Sequence, residues 1–328
     1  MSVILSKTNE PCKKNMASAY YEFLKEEMKV NEKLIHIEAD LGLSLLKFDM
    51  MTIMDKFPNQ FIDVGIQEAN AVGVACGLSA TGFVPFMHSF APFVTRRACD
   101  QIFISGSYSK SNVKLIGSDP GVMAAFNGGT HMPFEDVAIM RSFPEMTIVE
   151  PSDTVIAKEL FKEVAKQYGM HYIRFTRKNA AKLYEEGSTF EIGKGNIIKD
   201  GTDVTIIASG IMVEEGLKAV ELLKAEGIVA RLIDMFTIKP IDSDLIIKSA
   251  KETGAIVTAE NHSVINGLGA AVAEVVMAKC LVPMERVGVQ DRFGQVGDVE
   301  FLKKEYGLTA EEIANKAKIA IARKVSLL

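Results

Sequence analysis

The chain has 328 residues, more than one hydrophobic core usually spans, and this length favours two domains. Its composition, with 48% hydrophobic and 24% charged residues, is that of a globular protein and excludes disordered and collagen-like chains. The 37 basic and 42 acidic side chains give a net charge of −5 without blocks of like charge, which argues against nucleic-acid binding and leaves a small molecule or another protein as the expected partner.

Short apolar runs alternate with amphipathic stretches in the first half of the chain, which is the pattern of a parallel sheet with connecting helices. We predict strands over residues 34–38, 61–64, 83–87, 113–116, 146–149 and 172–175. Helices are predicted over residues 16–28, 68–80, 91–103 and 154–168. Together these elements predict one complete α/β domain.

A polar stretch that contains several glycines, residues 185–201, interrupts this alternation and predicts a domain boundary after residue 186. Beyond it we predict strands over residues 204–208, 229–233, 255–258 and 286–289. Helices are predicted over residues 214–225, 243–252, 268–280 and 310–322. The predicted fold class is α/β, with domains at residues 1–186 and 187–328 and a mainly parallel sheet flanked by helices in each.

The four cysteines, at positions 12, 76, 99 and 280, form no CxxC pair and have no histidine at zinc-ligand spacing, so we expect reduced thiols. The N-terminal residues lack the apolar core of a signal peptide, and no later segment is apolar for long enough to span a membrane. We therefore expect a cytoplasmic protein that does not interact with a membrane.

Several side chains near the ends of predicted strands are candidates for a functional site, although a structural role also explains each of them. His131 follows a flexible turn, residues 127–130, at the mouth of the sheet, where α/β proteins bind ligands. Glu68 opens a predicted helix, where a carboxylate commonly serves only as a partner of the helix dipole. Phe90 and Phe93, three residues apart, are typical of a core as well as of a cofactor platform.

A specific resemblance to a known family begins at FIDVGIQEAN, residues 61–70, which resembles the pyrimidine-binding domain of transketolase. It continues at SFAPF, GTH, VEPSD and RFTRKN, which are residues 89–93, 129–131, 149–153 and 174–179. From residue 202 onward the chain is similar to the family's C-terminal domain, with AENHS at residues 259–263. The resemblance implies the thiamine-diphosphate pyrimidine-binding fold followed by the transketolase C-terminal fold.

Full-length transketolases carry a diphosphate-binding domain ahead of this region, in which a Gly-Asp-Gly motif and a downstream Asn hold magnesium and the cofactor's diphosphate. The chain has Asp-Gly only at residues 200–201, preceded by Lys199. The resemblance therefore implies the C-terminal subunit of a split transketolase. Its expected partners are an N-terminal subunit that supplies the Mg²⁺ ligands and a second copy of this chain, bound through the family dimer interface in a two-plus-two heterotetramer.

The cofactor that the resemblance implies is thiamine diphosphate. The family uses a carboxylic acid at the position of Glu68 to hydrogen-bond the cofactor's aminopyrimidine and drive its tautomerisation, which we expect to occur in an apolar pocket. Aromatic residues at the positions of Phe90 and Phe93 stack on the same ring. Asp40 matches the segment that borders the cofactor and the substrate.

The resemblance also implies a set of substrate-binding residues. Ser44 and Arg177 match positions that contact the substrate phosphate, and Lys14 falls loosely on another phosphate-binding position. His131 matches a histidine that hydrogen-bonds substrate hydroxyls and belongs, with Glu68, to the implied catalytic residues.

Two substrate-binding positions depart from the family pattern. Asn127 stands where the family usually has an Asp that binds a sugar hydroxyl, and Asp119 stands where it has a phosphate-binding His. Since a carboxylate beside a dianion is unfavourable, either the acceptor binds differently or Asp119 turns away. We expect Arg177 and Ser44 to keep phosphate recognition, and the sugar preference to differ from xylulose and ribose phosphates.

The expected function is that of a split transketolase subunit, which transfers a two-carbon ketol unit from a ketose phosphate or modified ketose to an aldose phosphate. The alternatives are a 2-oxo acid dehydrogenase β-like subunit, a deoxyxylulose phosphate synthase-like enzyme, or a regulatory subunit that binds no cofactor. An NAD oxidoreductase would rest on Gly267 and Gly269 alone.

Overall fold

The structure is a computed structural model that describes residues 2–8, 10–41 and 47–325. Its strands are β1 (Leu34–Glu38), β2 (Phe61–Asp63), β3 (Val84–Phe90), β4 (Lys114–Ser118), β5 (Thr147–Val149), β6 (His171–Phe175), β7 (Asn196–Lys199), β8 (Val204–Ala208), β9 (Ala230–Asp234), β10 (Thr237–Lys239), β11 (Ile256–Ser263) and β12 (Met284–Val289). They form a seven-stranded sheet in the order β10-β5-β6-β4-β3-β1-β2 and a five-stranded sheet in the order β12-β11-β8-β9-β7. Two α/β units follow one another, as the sequence predicts.

The described α-helices are α1 (Met16–Glu27), α2 (Lys47–Lys56), α3 (Glu68–Ala80), α4 (Cys99–Gln101), α5 (Asp136–Arg141), α6 (Thr154–Lys166), α7 (Met212–Ala225), α8 (Ser243–Thr253), α9 (Leu268–Lys279), α10 (Val299–Glu305) and α11 (Ala310–Val325). On the first sheet, α1 and α6 belong to one hydrophobic cluster and α3 to the other. All five residues of β1, β4 and β6 are buried, because helices cover both faces of a parallel sheet. None of the described helices is long and apolar enough to cross a membrane.

The sheets differ from the prediction at two edge strands. The predicted interdomain stretch contains β7, which pairs antiparallel with β9 at the edge of the second sheet. The short strand β10 comes from the second half of the chain but pairs antiparallel with β5 of the first sheet. Apart from β10, each sheet takes its strands from one side of residue 186, and we propose that position as the domain boundary.

The predicted helix over residues 91–103 is wrong in its form. The structure has π-helical segments at Phe93–Arg97 and Ile102–Tyr108, separated by the short helix α4. A π-helical turn inserts a residue into the helical repeat, and such turns are frequent at functional sites. This segment follows β3 directly and carries Phe93, one of the candidate cofactor residues.

The candidate residues gather at the carboxyl edge of the first sheet. Phe90 ends β3, Asp119 follows β4 and Arg177 follows β6 shortly after its last residue. These three strands are parallel and adjacent, in the order β3-β4-β6, so their carboxyl ends meet. Ligands of open α/β sheets bind at this edge.

The second domain holds one loop of this edge in place. The Asn261 amide, at the end of β11, donates to the carbonyl oxygen of Pro120 over 2.9 Å and accepts from the backbone N–H of Val122 over 3.0 Å. A Cβ on Gly121, whose φ is +54°, would lie 2.2 Å from Asn261 Oδ1. A glycine is therefore required where this loop, which leads to His131, crosses the second domain.

Candidate functional site

The Glu68 carboxylate is fixed at the start of α3 and is almost fully buried, with 2% of the residue exposed. The turn before it is shaped by Asp63, whose Oδ1 accepts from the backbone N–H of Gly65 over 2.8 Å. Gly65 has a φ of +73°, a conformation that favours glycine. This turn places the first carboxylate of α3 beside the end of β3.

Both oxygens of Glu68 have hydrogen-bond donors. The Ser89 hydroxyl donates to Oε1 over 3.0 Å, and the Arg97 guanidinium donates to Oε2 over 2.7 Å. The prediction of an apolar pocket around Glu68 is therefore wrong. The carboxylate is buried, but a hydroxyl and a half-exposed cation hold it.

Phe90, Phe93 and His131 form a cluster of three rings, which we call the aromatic corner. The His131 ring lies 5.4 Å from the Phe90 ring and 4.9 Å from the Phe93 ring, measured between centroids, and meets both edge-on. The two phenylalanine rings are 6.2 Å apart at an angle of 78°. Edge-to-face contacts of this kind fix the rings relative to one another.

Two arginines cover the phenylalanine faces of the aromatic corner. The Arg97 guanidinium carbon lies 4.1 Å from the centre of the Phe93 ring, and that of Arg177 lies 5.1 Å from the centre of the Phe90 ring. Both distances are within the range of cation–π attraction. Each arginine also pairs with a buried carboxylate, Arg97 with Glu68 and Arg177 with Asp119.

Asp119 faces Arg177 and does not turn away. Its Oδ1 accepts from the backbone N–H of Arg177 over 2.9 Å, and its Oδ2 accepts from the Arg177 Nε over 2.7 Å and also from Nη2. Asp119 has a φ of +50°, and its own N–H donates to the carbonyl oxygen of Phe175. The backbone at the end of β4 therefore aims this carboxylate at the end of β6.

His131 lies in a turn at the rim of the corner. Partial burial and the positive charge of Arg97 lower the pKa of His131, so the neutral imidazole persists below the usual histidine range. Its Nδ1 lies 3.0 Å from the Thr130 hydroxyl. A neutral imidazole can both donate and accept a hydrogen bond, as binding of a sugar hydroxyl requires.

The remaining sequence candidates lie outside this cluster. Lys14 is exposed, and its ammonium group pairs with Glu22 rather than with a residue of the corner. Asn127 is exposed on the loop before His131, and Asp40, also exposed, donates its backbone N–H to Asp63 Oδ1 over 3.1 Å. Ser44 lies outside the described residues.

Two residues of the site were missed from the sequence, Arg97 and Ser89. Arg97 follows Phe93 by four residues, a spacing that places both side chains on one side of a helix, and this signal was available. Ser89 alternates with Phe90 along β3, so it points to the opposite face of the sheet. Its contact with Glu68 depends on the packing of α3, which the sequence alone does not reveal.

The residues of the corner fit a planar heterocycle that has a hydrogen-bonding edge. Phe90 and Phe93 supply apolar faces, and Arg97, which lies over the Phe93 ring, joins it to the Glu68 carboxylate. Arg97 is more exposed than the ring it contacts, with 45% of its side chain accessible. It can therefore move away from Phe93 and let the ring of a ligand stack there. In the described part of the chain, no group of three or more His, Cys, Asp or Glu side chains is placed to hold a metal ion.

Sequence comparison identifies the two domains. Residues 13–182 match the transketolase pyrimidine-binding domain, and residues 193–313 match the transketolase C-terminal domain. The chain therefore belongs to the transketolase family, whose members depend on thiamine diphosphate.

Within that family the chain is similar to components of split enzymes. It is 44% identical to the 6-deoxy-6-sulfo-D-fructose transketolase subunit SqwH of Clostridium sp. (strain MSTE9), over 94% of this chain and 95% of that one. It is 34% identical to one subunit of the apulose-4-phosphate transketolase of Phocaeicola vulgatus, over 93% and 96%. A solved split-gene transketolase, described as an inactive β4 tetramer, superposes with a TM-score of 0.86 at 39% identity and covers 95% of this chain and 99% of its own.

Proposed function

We propose that this chain is the C-terminal subunit of a split transketolase that transfers a two-carbon ketol unit from a ketose phosphate or modified ketose to an aldose phosphate. The observation that carries the proposal is the buried Glu68 carboxylate, which Arg97 links to the Phe93 ring of the aromatic corner. In our proposal this carboxylate and the phenylalanine rings of the corner bind the aminopyrimidine of thiamine diphosphate.

When bound, thiamine diphosphate supplies a carbon nucleophile that carries the two-carbon unit between sugars. In our proposal Glu68 hydrogen-bonds the pyrimidine ring and shares a proton with it. Ser89 orients the Glu68 carboxylate by donating to Oε1, and Phe90 and Phe93 hold the ring by apolar contact. His131, kept neutral, hydrogen-bonds substrate hydroxyls at the rim.

The relatives support a modified ketose as the donor. One split relative is named for a 6-deoxy-6-sulfo sugar and another for apulose 4-phosphate, so two relatives of this chain are named for ketoses other than the common pentose phosphates. Asn127 and Asp119 depart from the family pattern at positions that the resemblance assigns to substrate binding. We propose that these departures reflect such a substrate.

We propose a two-plus-two heterotetramer in the cytoplasm. The partner would be an N-terminal subunit with the diphosphate-binding domain and the Mg²⁺ ligands, and two copies of this chain would meet through the family dimer interface. The β4 assembly of the split-gene relative supports self-association of this kind of chain. Its description as inactive agrees with the need for a second subunit.

Reconstitution tests the proposal. The complex purified through this chain would be analysed by native mass spectrometry, and both subunits would then be assayed separately and mixed, with Mg²⁺, thiamine diphosphate and a panel of ketose donors and aldose acceptors. We expect ketol transfer in the mixture only. Turnover of pyruvate instead would favour a 2-oxo acid dehydrogenase-like or deoxyxylulose phosphate synthase-like enzyme, and a complex without bound thiamine diphosphate would favour a regulatory subunit.

A further inference from the structure

The pair formed by Asp119 and Arg177 places a carboxylate next to the arginine that the resemblance assigns to the substrate phosphate. Asp119 is buried, with 4% of its side chain exposed, and Arg177 is largely covered, with 19% exposed. Arg177 also lies over the ring of Phe90, which in turn contacts His131. The pair is therefore continuous with the aromatic corner and belongs to the site.

Asp119 occupies the donor edge of Arg177 in the way that a bound anion would. The Nε and Nη2 groups form the edge of a guanidinium that usually grips a carboxylate or phosphate, and here both point to Asp119 Oδ2. The backbone N–H of Arg177 adds a third donor, directed to Oδ1. Among the described residues, Nη1 is left as the guanidinium nitrogen without a partner.

The pair has no net charge, so it attracts a charged ligand less strongly than an isolated arginine would. A phosphate monoester carries close to two negative charges at neutral pH, whereas a sulfonate carries one. Coulomb attraction to an isolated arginine favours the dianion. Asp119, however, lies at nearly the same distance from the ligand as Arg177 and repels each added negative charge. Lys14 does not compensate, because it pairs with Glu22.

We propose that Asp119 is a specificity-determining residue that lowers the preference of the site for a doubly charged phosphate terminus, so that a sugar with a singly charged terminus, such as a sulfonate, is accepted. This inference rests on the proposed function and names the substrate class of the same site. It changes the expectation from the sequence that Arg177 and Ser44 keep phosphate recognition at this site. Asp119 sets the charge that the terminus of the sugar meets, and Arg177 supplies the remaining donor.

The test uses two ketoses that differ in the terminal group, fructose 6-phosphate and 6-deoxy-6-sulfofructose. The complex of both subunits is prepared with the wild-type chain, with Asp119→Asn, with Asp119→Glu and with Asp244→Asn. Asp244 is exposed in the first turn of α8 and controls for the loss of one negative charge elsewhere. The measured quantity is the ratio of kcat/KM for the phosphate over that for the sulfonate, together with the ratio of the two association constants from calorimetry, again phosphate over sulfonate.

We expect Asp119→Asn to raise both ratios about tenfold or more, because it removes one charge next to the terminus. Asp119→Glu and Asp244→Asn should keep both ratios within about threefold of the wild type. Each ratio compares two ligands on one preparation, so partial unfolding of a variant does not affect it. Ratios in Asp119→Asn that match the wild type would overturn the inference.

The two readouts separate this inference from the proposed function. A raised ratio of association constants in a complex that transfers no ketol unit would support the role of Asp119 and refute ketol transfer. Ketol transfer with both ratios unchanged in Asp119→Asn would leave the proposed function standing and refute the role of Asp119.

Discussion

The site contains two arginine–carboxylate pairs, and in each the arginine lies over a phenylalanine ring. The pairs differ in the number of hydrogen bonds that join them and in the exposure of the arginine. Arg97 covers Phe93 and donates to one oxygen of Glu68, whereas Arg177 covers Phe90 and donates to both oxygens of Asp119 through its backbone and side chain. The Arg97 side chain is 45% exposed and the Arg177 side chain 19%.

The difference in exposure and hydrogen bonding indicates different roles for the two pairs. An exposed arginine exchanges its protein contact for water at small cost, so the Arg97–Glu68 pair can open and leave Glu68 to another partner. The Arg177–Asp119 pair is more deeply buried and has three donors, so opening it would leave Asp119 without its cation. We infer that the first pair gives way to the cofactor, while the second remains as part of the substrate-binding wall.

The largest expected effect is that of Glu68→Gln. The substitution keeps the shape of the side chain and removes the proton that the acid shares, which should lower kcat of the reconstituted complex by roughly 10²–10⁴. Steady-state kinetics measure this, and Glu221→Gln on the exposed face of α7 is the matched control. Activity of Glu68→Gln within a few-fold of the control, with chemistry limiting the rate, would show that another group has this role.

The stabilities of Arg177→Ala and Arg97→Ala test the comparison itself. Arg177→Ala removes the side-chain partner of a buried carboxylate and should lower the free energy of unfolding by about 2–4 kcal/mol. Arg97→Ala should cost about 1 kcal/mol, because the arginine is half-exposed and Ser89 remains bonded to Glu68. Urea unfolding of the isolated chain measures both values, and equal losses would contradict the difference between the two pairs.

Phe90→Leu should weaken binding of the cofactor while leaving the Glu68 carboxylate in place. Leucine keeps much of the buried volume but lacks a flat ring face, so the Kd for thiamine diphosphate should rise roughly tenfold while kcat at saturation changes less. Calorimetric titration of the complex with the cofactor gives the Kd. An unchanged Kd would mean that Phe90 supports Arg177 and not the cofactor.

The smallest expected effect is a titration shift at His131. Since Arg97 is one cause of the lowered pKa of His131, Arg97→Ala should raise that pKa toward the ordinary histidine value. Arg177→Ala should change the pKa of His131 less, because Arg177 lies over Phe90 and its charge is offset by Asp119. Proton NMR of the histidine ring, assigned with His131→Gln, follows the titration, and equal shifts in both variants would refute the role of Arg97.

Local signals predicted much of the fold. The apolar run at β1 and the small-residue helix α3 have the bounds that the sequence predicts, because periodicity within a segment determines them. The strand β10 was missed because three residues carry little pattern and its partner β5 lies far away in sequence. The π-helical form of Phe93–Arg97 was missed because hydrophobic spacing does not distinguish one helical repeat from another in so short a segment.

The candidate site was predicted unevenly for a related reason. Glu68, Phe90, Phe93 and His131 were found through motifs that each occupy a few consecutive residues. The pairing of Asp119 with Arg177 depends on the adjacency of β4 and β6, a property of the sheet order that no short motif contains. The contact of Arg97 with Glu68 similarly joins the π-helical segment to α3.

Exchange of the C2 proton of bound thiamine diphosphate tests most directly the central claim that Glu68 activates the cofactor while Asp119 does not. The exchange rate with deuterium would be measured by quenched-flow NMR in the reconstituted complex for the wild type, Glu68→Gln and Asp119→Asn. We predict a rate lowered at least about a hundredfold in Glu68→Gln and unchanged in Asp119→Asn. Equal rates in the wild type and Glu68→Gln would contradict the account.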